Sequence, residues 1–153
     1  MIISSFATCL LLIVSTVLSS KTLLNGSIDE KNIEEFYSCH EKDGKLICMV
    51  HGPPKTPYYG GVFKFSISVS GDKASDVKCS TPILHPDVDG TVICHDKIPK
   101  IQSIRTIGDS LYNLLGSYDD ASDGNNKGVV EMIKNDKKGF ENLQQMMTIA
   151  YAS

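Results

Sequence analysis

Residues 1–20 contain no Lys, Arg, Asp or Glu, although charged residues make up 22% of the chain. The stretch holds the apolar run Leu10-Leu11-Leu12-Ile13-Val14, followed by Ser15-Thr16-Val17-Leu18-Ser19-Ser20. With no polar face, it does not read as an amphipathic first helix of a folded core. It reads as a signal peptide with small residues for cleavage near Ser19 or Ser20, or as a membrane anchor of barely spanning length. A basic n-region is missing. The sequon Asn25-Gly26-Ser27 follows directly and would accept a glycan on the secretory route.

Clustered cations are scarce too. Fifteen Lys and Arg against eighteen Asp and Glu give a net charge of -3, which argues against a nucleic-acid surface, since phosphate binding needs grouped Lys and Arg. No CxxC or HxxxH pair is present to close a tetrahedral zinc site, and no cofactor is implied. Cys39, Cys48, Cys79 and Cys94 are too few for a disulfide scaffold, although export would let cysteines pair. Cys39, Cys48 and Cys79 read as small buried hydrophobes, and His40, His51 and His95 as solvated or core-edge histidines. Internal repeats and low-complexity segments are absent.

What remains is enough for one domain with a real core, spanning residues 21–153. Residues 29–36 predict a short acidic helix. Residues 45–51 lie between Asp43-Gly44 and Gly52-Pro53-Pro54 and predict a buried strand. Alternation of Phe63, Phe65, Ile67 and Val69 with Lys64, Ser66 and Ser68 predicts a half-buried antiparallel strand, and residues 77–80 a third. Further on, Ile104, Ile107, Leu111, Leu114 and Leu115 have helical spacing, with Ser103 or Thr106 as cap. Residues 118–127 form a polar loop. Val129, Val130, Ile133, Phe140, Leu143, Met147 and Ile149 then mark one or two amphipathic helices, interrupted around Gly139. Strands first and helices later make the fold class α+β, an antiparallel meander sheet with flanking helices.

One thiol has distinctive surroundings. Cys94 ends the run Thr91-Val92-Ile93, next to a Gly90 turn and nine residues after His85. That arrangement offers a thiol to a large partner, and a thiol is both a strong nucleophile and a reactive acyl carrier. On a strand, His95 would point away from Cys94, which counts against a Cys/His hydrolase.

Two ordered motifs then carry a resemblance. Gly52-Pro53-Pro54-Lys55-Thr56-Pro57-Tyr58-Tyr59-Gly60-Gly61-Val62-Phe63 resembles the pattern G-P-x-x-T-P-Y-x-G-G-x-F of the ubiquitin-conjugating enzymes. His85-Pro86-Asp87-Val88-Asp89-Gly90-Thr91-Val92-Ile93-Cys94-His95-Asp96 resembles their active-site signature H-P-N-[VI]-x-x-G-x-[IV]-C-L-D. The likeness runs from about residue 40 to the end. It implies that Cys94 takes ubiquitin or a ubiquitin-like protein from an activating enzyme as a thioester and passes it to a substrate lysine or a ligase. His85, Pro86 and Asp87 would support the site. Asp96 and Asp120 would border the pocket where a lysine of pKa about 10.4 loses its proton.

Departures from the pattern matter as much. Asp87 replaces an asparagine whose amide would donate; a carboxylate only accepts, and losing one such donor lowers a rate by about 10²- to 10³-fold. Asp87 capping its loop through backbone N–H groups is the other reading. The proline-rich segment before the signature and the tryptophan after it, where the family meets ligases, are absent. The acidic residues 29–35 stand where the family presents cations to the activating enzyme, so a different activating partner is expected. Together with residues 1–20, these features imply entry to the secretory route, ending in the endoplasmic reticulum or a complex plastid reached through it, with a possible tether through residues 1–20. Without a working leader the location would be cytoplasmic. Two other readings stay open: a catalytically impaired binding module on the same fold, and a secreted disulfide-bonded protein of unrelated role.

Overall fold

The computed structural model describes residues 35–93, 98, 100–101, 103–119 and 123–153. An antiparallel sheet is built from β1 (Tyr37–Lys42), β2 (Lys45–His51), β3 (Val62–Ser70), β4 (Lys73–Cys79), β5 (Val88–Asp89) and β6 (Val92–Ile93), in the order β1-β2-β3-β4-β6-β5. Two helices follow, α1 (Ile104–Gly116) and α2 (Lys127–Tyr151). The expected α+β meander is the observed architecture. Residues 1–34, with the expected leader and most of the expected acidic helix, lie outside the described residues; Glu35 and Phe36, the last two positions of that helix, sit in a turn.

Period-two burial organises the sheet. Leu46, Cys48 and Val50 on β2 and Phe63, Phe65 and Ile67 on β3 all face inward. They meet Ile107, Leu111 and Leu115 of α1. The alternation ends sooner than the sequence suggests, because the register shifts between Ser68 and Val69 and leaves Val69 exposed. Likewise β4 begins at Lys73 rather than at Val77.

Strand β1 had no counterpart in the sequence reading, yet its signal was there. Asp43 and Gly44 have φ of 53° and 72°. Two successive residues in the left-handed region make the type I′ turn that matches strand twist, and Asp-Gly is its preferred pair. Edge strand β1 is anchored at its start by Tyr37, which is buried beneath α1. A β-carbon at position 108 would collide with the Tyr37 ring, so Gly108 lets α1 approach. The Tyr37 hydroxyl donates to Asp109 Oδ1 at 2.8 Å. Burial, then that bond, pushes the Tyr37 pKa upward.

Ser103 caps α1, accepting from the Thr106 N–H at 3.2 Å. In α2 the break falls at Asp136 (φ -150°, ψ 75°), not at Gly139. Asp136 Oδ1 accepts the Gly139 N–H at 2.8 Å, restarting the helix as an N-cap does. After that break Phe140, Gln144, Thr148 and Ala152 point inward, while Leu143 and Ile149, expected on the apolar face, are exposed. Among the described residues no helix is long and apolar enough to cross a membrane.

The cysteines divide differently from expectation. Cys39 and Cys48 are not separate hydrophobes but a disulfide joining directly opposed residues of β1 and β2. Cys79 is a buried free thiol, as read. Burial pushes its pKa from 9.0 to about 12. The folded state therefore holds this proton more tightly than the unfolded chain. The stabilisation is complete below the unfolded value and is lost as pH rises through it towards the folded one, at up to ~1.4 kcal/mol per pH unit. Buried Tyr58, also raised by burial, adds to the loss at still higher pH. We expect the Cys79 thiol to resist maleimide in the native protein at about pH 8 and to react once unfolded, and the urea midpoint to fall between about pH 9 and 11. Urea titrations across that range, with thiol labelling, check both.

Candidate active site

The segment before the expected active cysteine is a tight hairpin. Residues 85–88 turn on a bond from the Val88 N–H to the His85 carbonyl at 3.1 Å. β5 and β6 then pair Val88 with Ile93 and Asp89 with Val92, and Val92 in turn pairs with Lys78 on β4. The hairpin is thus stitched to the main sheet up to Ile93. Cys94, Asp96 and Asp120 lie outside the described residues, as does His95.

His85 is fully buried. Its Nδ1 accepts the Asp87 backbone N–H at 3.0 Å, and its Nε2 lies 2.9 Å from the Leu114 carbonyl. A carbonyl can only accept, so Nε2 carries the proton and the ring is the neutral Nε2–H tautomer. Leu114 belongs to the last turn of α1, whose carbonyls lack helical partners. One imidazole therefore closes its own turn and ties that turn to the end of α1. Asp87 Oδ2 is 4.0 Å from Nδ1, but with Nδ1 accepting, that approach is not an ion pair. Pro86 and Asp87 are buried with the histidine.

Aromatic rings wall this turn from water. Tyr58 donates its hydroxyl to the Leu84 carbonyl at 2.8 Å. Its ring lies 5.8 Å from the His85 ring and meets Tyr118 edge-on at 5.8 Å. Tyr118 stacks on Phe140 and donates to Glu141 at 2.6 Å. Burial, then the Glu141 bond, pushes its pKa upward. Lys137 bonds Asp119 at 3.2 Å, tying the loop after Tyr118 to α2.

Three supporting residues escaped the sequence reading. Asn126 caps α2 by accepting from Val129 N–H at 3.2 Å, and its Nδ2 donates to the Val88 carbonyl at 2.9 Å. Its backbone N–H donates to Pro86 at 2.8 Å. Gln144, fully buried in α2, accepts the Leu84 N–H at 2.6 Å. Thr148 receives a bond from Gln144 Nε2 at 3.1 Å and donates to the Pro57 carbonyl at 2.9 Å. An asparagine ahead of an apolar helix signals a cap, but nothing in the chain order shows that its amide reaches Val88.

Among the described residues no group of three His, Cys, Asp or Glu is placed to hold a metal ion. The arrangement holds a backbone segment in one position through buried hydrogen bonds, which suits chemistry that depends on positioning. Replacing Asn126 by Asp keeps the acceptor for Val129 but removes the donor to Val88. We expect about 1–2 kcal/mol of lost stability and faster hydrogen exchange at the Val88 amide, measured by urea unfolding and NMR.

Comparison with known proteins agrees with this geometry. Residues 21–148 match the family model described as ubiquitin-conjugating enzyme. The ubiquitin-conjugating enzyme E2 pex4 of Dictyostelium discoideum is 30% identical over 117 residues, covering 70% of this chain and 78% of the relative. A putative ubiquitin conjugating enzyme of Plasmodium yoelii superposes with a TM-score of 0.68 at 28% identity, over 80% of this chain and 90% of that one. The E2 domain of a Toxoplasma gondii ubiquitin conjugating enzyme shares the fold with a TM-score of 0.68 at 23% identity, over 80% and 94%. With the match spanning most of the chain, the protein belongs to the ubiquitin-conjugating enzyme family.

Proposed function

We propose that this enzyme carries ubiquitin or a ubiquitin-like protein as a thioester on Cys94 and passes it to a substrate lysine or a ligase. The observation that carries the reading is the buried His85 brace, which fixes the hairpin whose last described residue, Ile93, directly precedes Cys94 in the chain. Loading exchanges one thioester for another. The Cys94 thiolate attacks the modifier's C-terminal carbonyl, and the thiolate of the ATP-dependent activating enzyme leaves. Exchange between thiols needs little acid–base help, because a thiolate is both nucleophile and leaving group.

Amide formation is more demanding. A lysine amine attacks the thioester carbonyl, loses a proton and expels the Cys94 thiolate, while negative charge develops on the carbonyl oxygen. Asp96 and Asp120 orient the amine and take up the proton in this reading. Asp87 stands where the family pattern has an amide donor, and a carboxylate does not stabilise the developing oxyanion. A carrier that loads readily and discharges slowly is the form that Asp87 favours, and a module that only binds is its limit. The uncharged residues 1–20 support a location on the secretory route, with a tether if they are retained.

Incubation with an activating enzyme, ATP and candidate modifiers, read on a non-reducing gel, tests the carrier role. The expected product disappears with reductant and is absent from Cys94→Ala. No product with any cognate pair overturns the reading. In single-turnover discharge to free lysine, Asp87→Asn should raise the rate by up to about 10²-fold while loading is unchanged. An unchanged discharge rate would assign Asp87 to loop capping alone.

A further inference from the structure

Beyond the Tyr37 anchor, edge strand β1 is weakly fastened by core contacts. Its inward-facing positions are Tyr37, Cys39 and Glu41, opposite Val50, Cys48 and Leu46. Tyr37 is buried, Cys39 only half-buried and Glu41 exposed. Past its first residue only Cys39 packs against the core, and it is half-buried, so packing contributes little to the register there. The two-residue Asp43-Gly44 turn sets the register at that end, and side-chain burial adds little to hold the strand in it.

The Cys39–Cys48 bridge sits at this point. The two residues are directly opposed, with Cα atoms 4.1 Å apart and nine residues of sequence separation. Slipping either strand by one residue would turn one sulfur to the opposite face, so the bond admits a single register. Cys48 is fully buried, which shields its side of the bridge from reductants. Cys79 is on another strand, buried, with its sulfur 3.3 Å from the Thr81 carbonyl, and does not compete as a partner.

We propose that Cys39 and Cys48 form an oxidative modification site, converted to a disulfide after synthesis, and that this bond fastens to the sheet the part of β1 beyond the Tyr37 anchor. The oxidant is a disulfide-bearing oxidoreductase of the secretory route. One cysteine thiolate attacks its disulfide to give a mixed disulfide, and the second displaces the reduced oxidoreductase. The two cysteines give up two protons and two electrons, and the oxidant leaves as a dithiol. The modification is separate from the thioester chemistry proposed for Cys94 and stands or falls without it.

The full chain, secreted into the bacterial periplasm, is denatured without reductant, alkylated and mapped by mass spectrometry. We expect a linked Cys39–Cys48 peptide pair with Cys79 alkylated. The double variant Cys39→Ser, Cys48→Ser should melt roughly 5–10 °C lower, as closing a short loop predicts. Amide exchange in β1 should quicken while exchange in β3 holds. Should the variant not fold, phosphine reduction of the native protein supplies the same exchange measurement. Alkylation of Cys39 and Cys48 without reduction overturns the site, as does linkage of either to another cysteine. A linked pair whose opening leaves β1 exchange unchanged overturns the fastening role.

Discussion

A neutral imidazole buried between a turn and a helix end is the constraint on which the candidate site depends. His85 has a single protonation form that satisfies both neighbours: Nδ1 takes the Asp87 N–H and Nε2–H reaches the Leu114 carbonyl. Each group would cost about 1–3 kcal/mol if left buried without its partner. The turn therefore cannot drift from α1 without breaking bonds that water cannot replace. Tyr58 and Tyr118 keep water out, and their own hydroxyls are satisfied by Leu84 and Glu141.

The second constraint comes from α2. Its N-terminal cap holds Pro86 and Val88 through Asn126, and its buried polar pair Gln144 and Thr148 holds Leu84 and Pro57. Satisfied polar groups in a core have directional requirements that apolar contacts lack. A helix fastened in this way fixes the two chain segments that carry the family's motifs. The break at Asp136 matters for the same reason, because it sets which face of the following helix turns inward.

Under the proposed function, these constraints act on the hairpin whose last described residue, Ile93, precedes Cys94 in the chain. Thioester exchange asks for an accessible thiol in a defined place, and buried bonds hold the residues that lead up to Cys94 as far as Ile93. The described cysteines are chemically set apart. One pair is bridged and Cys79 is sealed in the core, with its pKa pushed up to about 12. Such a division is what the proposed role of Cys94 as the reactive sulfur would require.

Much of this was legible in chain order. Strand alternation at Phe63, Phe65 and Ile67, the Ser103 cap, and the two motifs depend on neighbours within a few residues, so sequence alone determined the α+β class, the family resemblance and the candidate thiol. Strand β1 escaped because its apolar positions are few, although Asp43-Gly44 announced its hairpin. The pairing of Cys39 with Cys48, the inward turn of Gln144 and Thr148, and the reach of Asn126 to Val88 were decided by tertiary structure alone. Each joins groups whose separation in space depends on sheet register or on the helix break at Asp136, and neither is written in local composition.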